Sequence, residues 1–150
     1  MNNNVTRMLS MILVLFLIAL NGCCITTGFY LKNNSGEDID IRSHHTGKIT
    51  HIKSGQERKI LHTKGQISIN TLKGHLWEYP SLSILNIKDQ KYRLFHKKFC
   101  GSTITIFLSV NDAGEICILP IKNRNVDTCP LEQPNGFPLK SNVPGATGNP

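Results

Sequence analysis

From Phe29 to Ile121 the chain alternates short β-branched and aromatic runs with clusters of turn formers about every ten residues. That rhythm predicts an all-β sandwich or barrel. The runs suited to strands are Gly28 to Lys32, Asp38 to Arg42, Lys48 to Lys53, Arg58 to His62, Gln66 to Thr71, Leu82 to Ile87, Lys91 to Phe95, Thr103 to Val110 and Glu115 to Ile121. Each break between them supplies glycine, or an Asn or Asp able to turn left-handed, where the chain must reverse. The clearest hairpin is the last. Asn111-Asp112-Ala113-Gly114 has the residues of a type I turn closed by a glycine bulge, which sets Val110 against Ile116 and Leu108 against Ile118. Ile104, Ile106, Leu108, Val110, Ile116 and Ile118 then share the core face, while Phe107, Cys117 and Leu119 take the other. The expected fold is a small antiparallel β-sandwich, immunoglobulin-like or transthyretin-like in architecture, with seven to nine strands.

The two ends of the chain break this rhythm differently. Arg7 precedes an apolar run of about 13 residues from Met8 to Leu20, the proportion of a secretory signal, since a bilayer-spanning helix needs nearer 20. The run ends at Leu20-Asn21-Gly22-Cys23, which resembles the lipobox of bacterial lipoproteins: leucine three positions before a cysteine and a small residue directly before it. The resemblance covers the leader alone. It implies that residues 1–22 are removed, that the Cys23 sulfur receives a diacylglycerol and that the new amino group is acylated. Burial at roughly 0.8 kcal/mol per CH₂ makes release of two or three chains negligible. Without Asp after the acylated cysteine, the resemblance also implies the outer membrane, facing the periplasm. At the other end Pro130, Pro134, Pro138, Pro144 and Pro150 alternate with glycine and asparagine, so a mobile tail is expected. The expected organisation is signal 1–22, tether 23–27, sandwich 28–122 and disordered tail 123–150.

Charge refines that picture. The chain carries 17 Lys and Arg against 10 Asp and Glu, and loss of Arg7 with the leader leaves 16 against 10. The basic residues are spread along the chain, as on a solvated surface. A tether of five residues reaches roughly 20 Å when extended, so the domain sits near the headgroups. Within a Debye length of about 8 Å, its charge favours anionic lipid, an acidic envelope polymer or an acidic protein partner. A lysine-bearing face is expected to rest towards the bilayer. An exported lipoprotein does not ordinarily meet nucleic acid.

Five cysteines are present. With Cys23 assigned to lipid and Cys24 beside it, extending the last hairpin brings Cys100 near Cys129 as the expected disulfide, with Cys117 left as a covered thiol. Of the six histidines, His44, His45 and His51 flank one hairpin and are weak metal candidates, since neighbours on a strand point to opposite faces. Solvent-exposed histidines in polar turns are the simpler reading, and neither metal nor cofactor is expected. No Gly-x-Ser-x-Gly elbow, His-Glu-x-x-His motif or phosphate-binding glycine loop occurs. Glu37, Asp38 and Asp40 bunch at one turn that its asparagines already explain. Trp77 and Tyr79 fall in the longest break between strands, either as interaction residues in an exposed loop or with Trp77 capping the core. The expected function is a non-catalytic, lipid-anchored interaction module of the cell envelope. The alternative is a structural subunit of a larger envelope or secretion assembly. A metal-binding lipoprotein or a lysozyme inhibitor is less favoured, because a basic inhibitor would meet a basic enzyme.

Overall fold

The computed structural model describes residues 7–8, 10–13, 25–60, 65–82, 87–97, 101–124 and 126–142. Leu20-Asn21-Gly22-Cys23, Cys24, His62, Cys100 and residues 143–150 lie outside the described residues. The described strands are β1 (Ile25–Asn34), β2 (Ile39–Ser43), β3 (Ile49–Ile52), β4 (Glu57–Ile60), β5 (Ile67–Thr71), β6 (Leu76–Tyr79), β7 (Leu94–Lys97), β8 (Ser102–Asn111) and β9 (Ile116–Leu119). They form an all-β sandwich of two sheets. One runs β4-β1-β8, with β7 and β9 both on the far edge of β8, and the other runs β3-β2-β5-β6. Phe29, Leu31, Ile106, Leu108, Val110, Ile116 and Ile118 of the first sheet pack against Ile39, Ile41, Ile52, Ile67, Ile69, Trp77 and Tyr79 of the second. Each such side chain contributes about 1.5–3 kcal/mol when fully buried.

The last hairpin has the expected register: Val110 pairs with Ile116, Leu108 with Ile118 and Phe107 with Leu119. Its turn closes through Gly114 N–H to the Asn111 carbonyl (3.0 Å) and Asn111 N–H to the Glu115 carbonyl (3.1 Å). The expectation of a purely antiparallel sandwich needs one correction. β1 and β8 pair in parallel over their whole length, from Ile25 with Ser102 to Asn34 with Asn111. Parallel neighbours need a crossover. Here the intervening chain supplies one by passing through the second sheet twice.

Side-chain alternation marks faces but not partners, and it misplaced one strand. Leu76–Tyr79 is strand β6, not a loop, because Thr71-Leu72-Lys73-Gly74 makes the same kind of glycine-closed turn as the last hairpin, with Thr71 N–H on the His75 carbonyl (3.0 Å). Trp77 and Tyr79 therefore point into the core. Of the strand expected at Leu82 to Ile87, residues 83–86 lie outside the described residues, and both Leu82 and Ile87 are buried. The run from Lys91 begins as a 3-10 turn, Gln90–Tyr92, with Asp89 accepting from the Lys91 amide, so β7 starts only at Leu94.

The boundaries also shift. β1 begins at Ile25, three residues before the expected Gly28, which leaves only Cys23 and Cys24 of the supposed tether. Residues 126–142 are not a loose tail but a strap along one side of the sandwich. Leu139 and Ile116 exchange backbone hydrogen bonds (2.8 and 2.9 Å). The Gln133 carboxamide takes the place of a peptide group beside Ile118, accepting from its N–H (2.9 Å) and donating to its carbonyl (3.1 Å). Farther on, the Ser141 hydroxyl accepts from Glu78 N–H (2.9 Å) and the Asn142 amide donates to the Glu78 carbonyl (2.9 Å). The strap thus covers the edges of β9 and β6, one from each sheet, and Phe137 and Leu139 pack against the core. Composition suggested mobility because prolines lack a backbone donor, yet an edge asks only alternate residues to bond. In the N-terminal segment, the described residues Met8, Met11, Ile12 and Leu13 are exposed and stay out of the core. No helix among the described residues is long and apolar enough to cross a membrane.

Gly114 is the most constrained backbone position. Its φ of +72° disfavours a side chain, and a Cβ there would overlap the Trp77 indole. Gly114→Ala should destabilise by about 3–5 kcal/mol in urea denaturation, against about 1–2 for Gly47→Ala, whose φ is also positive but whose surroundings are open. The Tyr79 hydroxyl donates to the Gly114 carbonyl beside it. Burial, reinforced by the Glu115 carboxylate, pushes the Tyr79 phenol far above its ordinary value. A raised acid of this kind supports folding below the unfolded value near 10 and loses that support as the pH rises beyond it. Melting temperature should therefore fall above about pH 10, and more gently in Tyr79→Phe.

Candidate functional site

The connections from β1 to β2 and from β3 to β4 each take four residues, so their ends meet at one pole of the sandwich. Asn33, fully buried, ties them together. Its carboxamide N–H₂ donates to the carbonyls of Glu37 (2.6 Å) and Ile52 (3.0 Å), while its oxygen accepts from the Ser35 amide (3.1 Å) and hydroxyl (2.7 Å). Every hydrogen-bonding position of that side chain is used. The next rung sets Asn34 beside Asn111. The Asn34 amide donates to the Ser109 hydroxyl (3.0 Å) and the Asp127 carbonyl (3.1 Å), and the Asn111 oxygen accepts from Glu115 N–H (2.7 Å). These two asparagines fix the strand ends and hold the returning chain at Asp127.

An open cleft of about 420 Å³ lies between the turns Asn34-Ser35-Gly36 and Asn111-Asp112 and the segment Asp127-Thr128-Cys129. Its described walls carry amides, hydroxyls and carboxylates. Lys32 reaches Asp127 (2.7 Å) at one margin, an exposed pair that adds little stability. Beyond Ser35, Lys73 hydrogen-bonds Glu37 (3.0 Å) and holds its carboxyl below the ordinary range. Such a surface can hydrogen-bond a polar ligand, and among its described residues no nucleophile is paired with a base.

The disulfide that closes this cleft corrects the expected pairing of Cys100 with Cys129. Cys129 is bonded to Cys117, 12 residues away, with Cα atoms 5.6 Å apart. Extrapolating the β8–β9 hairpin assumed that the chain would continue alongside the first half of β8, but β7 occupies that edge. The chain instead turns at Pro120 and the 3-10 segment Ile121–Asn123, then folds back across the outer face of β9. There Arg124 sits 5.1 Å from the Phe107 ring, and Cys117 is fully buried. The parity that put Cys117 with Phe107 and Leu119 was the readable signal.

The remaining candidates do not gather. His44 and His45 are exposed in the β2–β3 turn, whereas His51 lies along β3, 2.9 Å from Asp40 and 3.6 Å from Asp38. The two carboxylates meet opposite nitrogens of the His51 ring, and among the described residues no group of three His, Cys, Asp or Glu side chains could hold a metal ion. Trp77 and Tyr79, 4% and 0% exposed, are core residues and not surface contacts. Sequence reasoning missed Asn33, Asn34 and Gln133, whose roles depend on chain segments remote from them.

Fold and site together define a small β-sandwich with a disulfide-pinned strap and a polar cleft at one pole. No protein family, curated protein or solved structure matches the chain. The loop closed by Cys117 and Cys129 is short, so Cys117→Ala/Cys129→Ala should lower stability by about 3 kcal/mol. Peptide mapping without reductant should recover residues 117 and 129 in one linked fragment.

Proposed function

We propose that this chain is an exported lipoprotein, acylated at Cys23, which serves as a non-catalytic interaction module of the cell envelope. The observation that carries the reading is the opposition of two features. The lipobox cysteine stands two residues before β1, and the polar cleft lies at the other end of that ten-residue strand. At about 3.3 Å per residue the separation is roughly 33 Å, so a chain anchored at one end offers the cleft away from the membrane. Amide, hydroxyl and carboxylate walls suit a polar segment of an envelope protein or polymer. The covered edges of β6 and β9 make strand addition there unfavourable, and the loops around the cleft are the contact surface this reading assigns.

Intact mass of the membrane-bound product should show residues 1–22 gone and acyl chains on Cys23, and Cys23→Ser should move the chain to the soluble fraction. After mild detergent extraction, the wild-type chain should carry a partner that Asp112→Lys loses while remaining membrane-bound. Full partner recovery with Asp112→Lys would refute the role of the cleft, and a fixed stoichiometric set would favour the assembly subunit.

A further inference from the structure

The opposite pole has its own chemistry. β1 begins there at Ile25, β7 ends there at Lys97, and the β2–β3 turn closes there with Ser43 N–H on the Lys48 carbonyl (3.0 Å). Ile25, Ser102 and Lys97 occupy one rung, and Thr27, Ile104 and Phe95 the rung two positions along, so Ile25, Phe95 and Lys97 share a face. That face is the one that packs the core farther up, yet Ile25 is 65% and Phe95 56% exposed, because the second sheet does not extend over them. Phe95 also borders a hollow of about 420 Å³ with Gln90 and Arg93.

Charge is divided between the poles. Six of the ten carboxylates lie at the cleft end: Glu37, Asp38, Asp112 and Glu115 in its turns, Glu57 at the start of β4 and Asp127 in the segment folded over them. The described residues at the Ile25 end, 25–27, 43–49, 65–67, 79–82, 95–97 and 101–103, contain none, and the nearest carboxylate, Glu78, is taken up by the Gln66 side chain (3.0 Å). Lys48 and Lys97 are exposed there.

We infer that this end is a membrane-docking surface, in which Ile25 and Phe95 enter the headgroup layer of an anionic phospholipid leaflet while Lys48 and Lys97 meet its phosphates. The inference rests on the anchoring proposed above and adds to it a fixed orientation of the domain. Two residues reach about 7 Å, so a lipid on Cys23 holds Ile25 at headgroup depth. An apolar pair with Lys97 on its own face and Lys48 at the end of the facing sheet is matched to that layer, where an apolar side chain loses water and an ammonium gains a counterion. At the other end the lysines Lys32, Lys73 and Lys140 are already paired with Asp127, Glu37 and Glu115, so they are less available to lipid phosphates.

The test uses the full acylated chain, extracted from membranes and reconstituted in nanodiscs containing brominated lipid, either zwitterionic or with phosphatidylglycerol. Trp77 is buried and supplies the background emission. Phe95→Trp should gain emission that bromine quenches in anionic discs, whereas Leu72→Trp, 79% exposed at the far end, should not be quenched. Adding Lys48→Gln and Lys97→Gln should lower the docked-to-free ratio on the order of thirtyfold. Absence of quenching in Phe95→Trp with Cys23 acylated overturns the docking and leaves the anchoring intact. Equal quenching of Phe95→Trp and Leu72→Trp overturns the orientation, and equal quenching with and without phosphatidylglycerol overturns the part assigned to the lysines. An unmodified Cys23 retires anchoring and docking together.

Discussion

Ten consecutive rungs of parallel pairing between β1 and β8 hold the rest of the structure in place. Once β1 occupies one edge of β8, everything else that pairs with β8 must share the other. β7 takes the first half and β9 the second. That division is why the chain cannot run on past Leu119 beside β8 and instead turns back over the outer face of β9. The disulfide and the strap are therefore consequences of a crowded strand.

The strap answers a second constraint. A two-sheet sandwich has open edges whose unpaired peptide groups invite other strands. Backbone from Leu139 and Asn142, the Gln133 carboxamide and the Ser141 hydroxyl meet those groups on β9 and β6 in turn. Individual hydrogen bonds of this sort contribute only about 0.5–1.5 kcal/mol. Their arrangement matters more, since one segment bonded to both sheets resists their separation and is itself fixed at Cys129.

The same parallel pair gives the domain two unlike poles. Both β1 and β8 end at the asparagine pole, where their side chains tie down turns and the returning strap. Both begin at the other, where the sheet projects beyond its partner and the nearest described carboxylate, Glu78, is held by Gln66. A chain tethered through Cys23, as proposed, would convert this polarity into an inside and an outside: apolar and cationic groups towards lipid, a hydrogen-bonding cleft towards a partner.

Much of this was legible along the chain. Period-two alternation at Ile104, Ile106, Leu108 and Val110, with glycine after Asn111-Asp112-Ala113, determined a hairpin, its register and its core face, because these depend on neighbours a few residues away. The all-β class followed from the same local rules. Strand β6 follows from the same kind of glycine-closed turn, whereas the parallel partner of β1, the Cys117–Cys129 bond and the ordered strap followed from no local rule. Strand alternation states which face is apolar and is silent about which edge lies alongside. Occupancy of β8's second edge by β7 was decided only when the sheets assembled, and with it the path of every residue after Leu119.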